Sequence, residues 1–417
     1  MSQPSDLPLF PAASDCDPLQ LGWMQGSPPS ADKIIQAHDG SGYRFPQLRW
    51  SFAHYRQLVP TATVSKGLAP STPLPQASRS LPQIRYSPMG SNAECGWADM
   101  MEATYTDALL VLHKGQVVFE HFGGVMTPLH AHIAMSVSKS FMGLLAASLV
   151  AEGVLDETQS VDHYVPELAG SGFADATVRQ VMDMTTGIDY SENYADPQAE
   201  IWNHMRAGGV MPRPPGYSGP THFYDYLQTV RKLGEHGEKF TYRTANTDVL
   251  GWIVRRVSGQ NTEQMLSERI WQPMGAELDA CYTVDPIGTA FAGGGLNTGL
   301  RDLARFGELV RQHGRVGQTQ VLPAAAVADT FAGADPARFA ANGPATLAGW
   351  SYRNMWWVSH NAHGAIMARG VHGQNIYIDP KAEMVIARYA SHPVAANIAN
   401  DPHTLPAYHA LALALLG

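Results

Sequence analysis

The chain has 417 residues, of which 45% are hydrophobic, enough for a large buried core and for two average domains or one large one with lobes. Its 28 basic and 37 acidic residues leave a net charge of −9 with no long basic run, which excludes nucleic acid and anionic membrane as natural partners. Cys16, Cys95 and Cys281 are odd in number and far apart, so neither a disulfide framework nor a paired-cysteine zinc site is expected.

The opening residues Met1–Pro8 carry neither a charged region nor an apolar run, and no apolar stretch is long enough for a bilayer span, so a cytoplasmic protein is expected. Residues 1–98 are rich in proline, glycine and serine but also carry Trp23, Tyr43, Phe45, Trp50, Phe52, Tyr55 and Tyr86. Proline at that density forbids long regular elements, while the aromatics argue for packing, so this stretch reads as an extended arm wrapped on the body. The aromatic arm also offers a contact for a homodimer.

A short helix is expected from Asp99, then a hairpin of Ala108–His113 and Gln116–Phe122 about Lys114-Gly115. Ser136 follows shortly, opening a helix through Val150 that Glu152-Gly153 closes. Between Leu155 and Ala290 helical patterns dominate: Val178–Met184, Tyr224–Lys232, Asn246–Val257 and Asn261–Trp271. Thr298 reads as the cap of a helix reaching His313. Strands are then expected at Asn354–Val358, Ala365–Met367, Gln374–Ile378 and Met384–Tyr389, and a last helix at Leu405–Leu416. The hairpin before the helices and the strands after them predict an α/β (α+β) domain, residues 99–155 and 291–417, with an all-helical lobe, residues 156–290, inserted into it.

The stretch Met135-Ser136-Val137-Ser138-Lys139-Ser140 carries the chemistry. Residues three apart on a helix share a face, so the Ser136 hydroxyl and the Lys139 amine can meet while Ser138 points elsewhere. A helix start also lends partial positive charge to a developing oxyanion. The plain alternative is a serine cap beside a solvated lysine. Tyr242 stands before a polar loop and a helix, where it either packs as an amphipathic ring or presents its hydroxyl to a cleft. Gly370-Val371-His372-Gly373 opens a predicted strand, where small residues let a backbone N–H approach a carbonyl or simply make a turn. No G-x-S-x-G elbow and no phosphate-binding glycine loop occurs, and His130, His132, His360 and His363 lack the spacing of zinc ligands.

Taken in order, Ser136-x-x-Lys139, then Tyr242, then the Gly/His-Gly segment resembles the serine β-lactamase and penicillin-recognising fold, in its class C branch. Within that branch the chain is most similar to the 6-aminohexanoate-dimer (nylon oligomer) hydrolases. Tyr164-Val165-Pro166-Glu167-Leu168-Ala169-Gly170, Ile188-Asp189-Tyr190, Ala245-Asn246-Thr247-Asp248-Val249-Leu250 and His372-Gly373-Gln374-Asn375 carry that likeness. The resemblance implies an antiparallel sheet flanked by helices and a cofactor-free serine hydrolase of short linear amides and carboxylic esters. Family VIII-type carboxylesterases and penicillin-binding or D-alanyl peptidase-like proteins are its alternatives.

By the same resemblance Ser136 is acylated, Lys139 and Tyr242 complete the catalytic group, and the backbone N–H groups of Ser136 and Val371 form the oxyanion hole. Either Lys139, kept neutral by desolvation, or Tyr242 as phenolate takes the serine proton. Tyr194, Trp357, His372 and Asn246 are expected to face a small-molecule substrate, and Glu192, Asp196 or Glu200 to receive an ammonium end. Thr244 stands where class C enzymes have asparagine, and Arg369-Gly370 is the nearest counterpart of their lysine-threonine-glycine triad, so efficient β-lactam hydrolysis is not expected.

Overall fold

The computed structural model describes residues 10–77 and 80–417; the reading of Met1–Pro8 lies outside the described residues. A seven-stranded antiparallel sheet organises the chain, in the spatial order Ser351–Arg353, Trp356–Val358, Ile366–Gly370, Gln374–Asp379, Met384–Ala390, Thr106–His113 and Gln116–Phe122. The early hairpin thus joins the late strands through Met384–Ala390, which pairs with Thr106–His113. Every residue of Thr106–His113 is buried, as expected of a strand covered on both faces. The hairpin turn places Lys114 and Gly115 at φ 53° and 74°, the primed geometry that matches strand twist.

Strand alternation assigns the two faces. Ile376 and Val385 lie against helix Leu300–Arg311, whose Gly307 leaves them room. Asn375 and Tyr377 face the opposite way, onto Tyr408 of helix Asp401–Leu416. That last helix begins four residues before the expected Leu405 and contains Pro406. Pro406 has no N–H to offer the Pro402 carbonyl, which instead accepts from the Met89 N–H at 2.9 Å.

Helix Val137–Ala151 packs on the same face of the sheet as Leu300–Arg311, its Phe141 ring stacked on Phe306. Gly143 on this helix touches the turn before Trp356–Val358: a Cβ there would lie 2.0 Å from the Asn354 carbonyl oxygen. Gly143→Ala must push the helix off its turn, and a loss of about 3 kcal/mol or more is expected, read as a lowered denaturation midpoint.

Other expectations shift at their ends. The helix expected over Tyr224–Lys232 is Phe223–Thr229, because Arg231–Lys232 pairs with Ile188–Asp189 as a short ribbon. Thr298 does not cap a helix; it belongs to strand Leu296–Gly299, and Gly299 is the cap. The strand expected from Asn354 starts at Trp356, since Asn354 and Met355 adopt φ of 50° and 63° in the turn from Ser351–Arg353. Helix Thr244–Ser258 stops at Gly259 in the left-handed conformation that glycine permits. Helices Glu200–Ala207 and Ala324–Ala332 add to the expected set.

The arm is more than a wrapping. Its Thr61–Val64 forms one edge of a second, four-stranded antiparallel sheet with Ala280–Thr283, Leu296–Gly299 and Ala131–Ile133. Leu48, Phe52 and Tyr55 pack with Ile133 and Met135, so the arm braces the segment that leads into Ser136. No helix among the described residues is long and apolar enough to cross a membrane.

Candidate active site

Strand Ala131–Ile133 delivers the chain to Met135, which turns it at φ 48° before helix Val137–Ala151 begins. That unusual backbone is held by Ser138, whose hydroxyl donates to the Met135 carbonyl at 2.6 Å and accepts from the Leu296 N–H at 3.0 Å. Ser136 is the residue at the N-cap position, yet its hydroxyl caps nothing. It accepts instead from Lys139 Nζ at 2.9 Å. Lys139 is 1% exposed and also donates to the Gly293 carbonyl.

Tyr242 completes the group. Its ring lies 5.2 Å from Lys139 Nζ. Burial draws the Lys139 amine down from its ordinary range, against the pull of Glu192 and Asp248. Burial and the Glu192 carboxylate push the Tyr242 phenol well above its ordinary value, opposed by the neighbouring Ser136 hydroxyl and the Arg369 cation. Burial thus favours the neutral amine at Lys139 and the neutral phenol at Tyr242.

Ser136 opens on a cavity of about 520 Å³. Its walls are mainly apolar, with Tyr43 and Tyr55 from the arm, Trp202, Met205 and Met211 from the helical segment, and Phe291. Of the expected substrate residues Tyr194 and His372 line this space, as does Val371, expected as an oxyanion donor. His372 sits at φ 64°, with Nδ1–H donating to the His392 carbonyl at 2.7 Å; burial holds it neutral, its pKa down to about 4.

Two expected substrate residues are placed elsewhere. Trp357 does not line the cavity; it stacks on Tyr242 at 5.4 Å and is covered by Tyr352 and the Arg369 guanidinium, so it backs the tyrosine. Asn246 is fully buried inside helix Thr244–Ser258, with its amide oxygen accepting from Thr186 at 2.7 Å and its nitrogen directed at the Met184 sulfur. Both of its polar ends are occupied within the protein core.

Of the three acidic candidates only Glu192 lines the cavity. Its carboxylate accepts from the Thr244 N–H at 2.6 Å, the Thr244 hydroxyl at 2.7 Å and the Tyr194 hydroxyl at 2.9 Å. Glu200 turns instead to the Tyr226 hydroxyl at 3.2 Å, and Asp196 accepts from the Gln198 N–H at 2.9 Å. Among the described residues, no cluster of three or more His, Cys, Asp or Glu side chains is placed to hold a metal ion.

Sequence reasoning passes over Gly293. The signal is the run Gly293-Gly294-Gly295. A Cβ at Gly293 would lie 2.6 Å from Thr244 Cγ2, so glycine is what lets its carbonyl reach Lys139.

Residues 98–410 match the family described as Beta-lactamase. The chain belongs to the β-lactamase family. Like the rest of that family it has the β-lactamase-like fold, and it is a serine hydrolase. It is 38% identical over 349 residues to the 6-aminohexanoate-dimer hydrolase of Paenarthrobacter ureafaciens, covering 84% of this chain and 86% of that one. A solved structure named "Putative 6-aminohexanoate-dimer hydrolase from Bacillus anthracis" superposes with a TM-score of 0.84 at 30% identity, over 94% of this chain and 99% of that one. EstCE1, described as a hydrolase with promiscuous acyltransferase activity, shares the fold at 17% identity and a TM-score of 0.56, over 72% of this chain and 93% of that one.

Proposed function

We propose that this β-lactamase-family protein hydrolyses short linear amides, including the 6-aminohexanoate linear dimer, and carboxylic esters through an acyl-enzyme on Ser136. The 2.9 Å contact between Ser136 Oγ and a buried Lys139 at the floor of an open cavity carries this reading. The neutral Lys139 amine accepts the serine proton as Oγ attacks the substrate carbonyl. The negative charge that develops on the carbonyl oxygen is met by the N–H groups of Ser136 and Val371. Collapse breaks the bond to the amine or alcohol, which leaves with a proton supplied by Tyr242 and replenished from the lysine ammonium. Water then attacks the acyl-serine by the reverse route and frees the acid.

Ser136→Ala is expected to abolish product formation from both the 6-aminohexanoate dimer and p-nitrophenyl esters while the unfolding temperature stays unchanged. Residual turnover above about one ten-thousandth of the native rate would move the nucleophile elsewhere.

A second reading, hydrolysis of esters with uncharged acyl groups and no amide activity, is favoured by one observation. Among the described residues the one carboxylate lining the cavity, Glu192, already accepts three hydrogen bonds from Thr244 and Tyr194, and the walls around it are mainly apolar. A kcat/KM for p-nitrophenyl butyrate with no measurable release of 6-aminohexanoate from its dimer selects this reading.

A further inference from the structure

Behind Lys139, on the side away from Ser136, runs a row of buried polar groups that acyl transfer does not consume. Gly293 accepts from Lys139 Nζ through its carbonyl, and its own N–H donates to Asp248 Oδ1 at 3.0 Å. Asp248 Oδ2 lies 3.3 Å from His204 Nε2, and His204 Nδ1 lies 3.0 Å from the Tyr190 hydroxyl. Asp248 is 6% exposed, Tyr190 1% and His204 0%. At 3.3 Å the imidazole Nε2 and Asp248 Oδ2 face each other, and among the described residues neither atom makes a hydrogen bond.

A carboxylate taken out of water is several kcal/mol unfavourable unless something compensates it. His204 does not supply a charge. It is enclosed by Tyr226, Phe223 and Phe291, and burial holds it neutral, its pKa down to about 3. Burial pushes the Asp248 carboxyl up to about 7, against the Gly293 N–H and the Lys139 cation, and Asp285 adds to the rise, so its charge is present above that value. The charged groups felt by Lys139 are Glu192 and Asp248. Asp248 and Glu192 act through one helix start: Thr244, held by Glu192, and Asp248, one turn on, both press on Gly293, where an added Cβ would lie 3.2 Å from Asp248 Oδ2.

We propose that Asp248 is a positioning residue for Lys139. It clamps Gly293 so that the glycine carbonyl holds the lysine nitrogen on Ser136 Oγ, and it sets a negative charge behind that nitrogen, with the His204 imidazole facing the other carboxylate oxygen. This rests on the reading that Lys139 serves Ser136.

The test follows kcat and KM against pH for a p-nitrophenyl ester in wild type, Asp248→Asn, His204→Phe and His204→Gln. Asp248→Asn keeps an acceptor for the Gly293 N–H and removes the charge. Without that charge the lysine ammonium is less favoured, so the limb of the profile that reports Lys139 moves about one unit toward lower pH, with kcat lowered about tenfold and KM within about twofold of wild type. His204→Phe keeps the ring in its aromatic surroundings but removes the polar nitrogen that faces the carboxylate; the limb moves the same way by less, and His204→Gln, which brings back a polar N–H, restores it. A limb that stays in place in Asp248→Asn overturns the proposal, even where stability falls, because a purely structural residue would lower stability and leave the limb alone. Should Asp248→Asn fail to fold, an unmoved limb in His204→Phe overturns it. Full activity in Ser136→Ala would instead remove the underlying reading, so the two failures are separable.

Discussion

Replacing Lys139 by methionine is expected to slow acylation of Ser136 by ~10,000-fold or more. Methionine matches the stem of the lysine and removes only the nitrogen, which stands 2.9 Å from Ser136 Oγ. A serine hydroxyl is a weak nucleophile until a base takes its proton, and Tyr242, whose buried phenol resists ionisation beside Glu192, is a poor substitute. Losing a buried charge is not in itself destabilising, so the variant should unfold near the wild-type temperature. The burst of p-nitrophenol at high enzyme concentration reads acylation directly; a burst of native rate in Lys139→Met would show that Tyr242 is the acceptor. In the native protein the amine must be neutral to act, and burial brings its pKa down to about 8 from 10.5. Activity should therefore rise as pH climbs through that value and fade below it.

Tyr242→Phe should separate amides from esters. Its ring stacks on Trp357 and faces Lys139, and phenylalanine keeps both contacts, so the loss of the hydroxyl is nearly pure. An amine leaves only after it is protonated, whereas a phenolate or alkoxide leaves with less help. Amide hydrolysis should fall by ~100-fold to ~1,000-fold and p-nitrophenyl ester hydrolysis by about tenfold or less. The comparison is made on one preparation with the 6-aminohexanoate dimer and p-nitrophenyl acetate. An equal fall with both substrates removes Tyr242 as the proton donor.

The parts of the fold legible in the sequence are those where local pattern and final packing agree. The hairpin about Lys114-Gly115 and the helix after Ser136 are local, and their sequences satisfy the geometry they adopt. The three residues Ser136, Lys139 and Tyr242 can be named because their order and spacing resemble a family, and the structure brings them together. Asn246 and Trp357 stand away from the cavity because side-chain direction depends on neighbours far away in sequence, Thr186 and Met184 for one and Tyr352 and Arg369 for the other. Tyr43 and Tyr55 are recognisable as arm aromatics but not as cavity walls, since nothing local ties residue 43 to residue 136. Gly293 and Asp248 escape notice for a further reason: the first acts through its backbone, and the second is hidden behind a lysine.

The order of strands in the central sheet has a bearing on how this protein comes into being. Met384–Ala390 sits between Thr106–His113 and the other late strands, and the cavity is walled by residues as far apart as Tyr43 and Ile398. On the ribosome the early hairpin waits for a partner synthesised more than two hundred residues later, with its apolar faces uncovered. A nascent chain halted before Met384 holds Ser136, Lys139 and Tyr242 but lacks the strand that joins the early hairpin to the other late strands, so hydrolytic competence waits for Met384–Ala390.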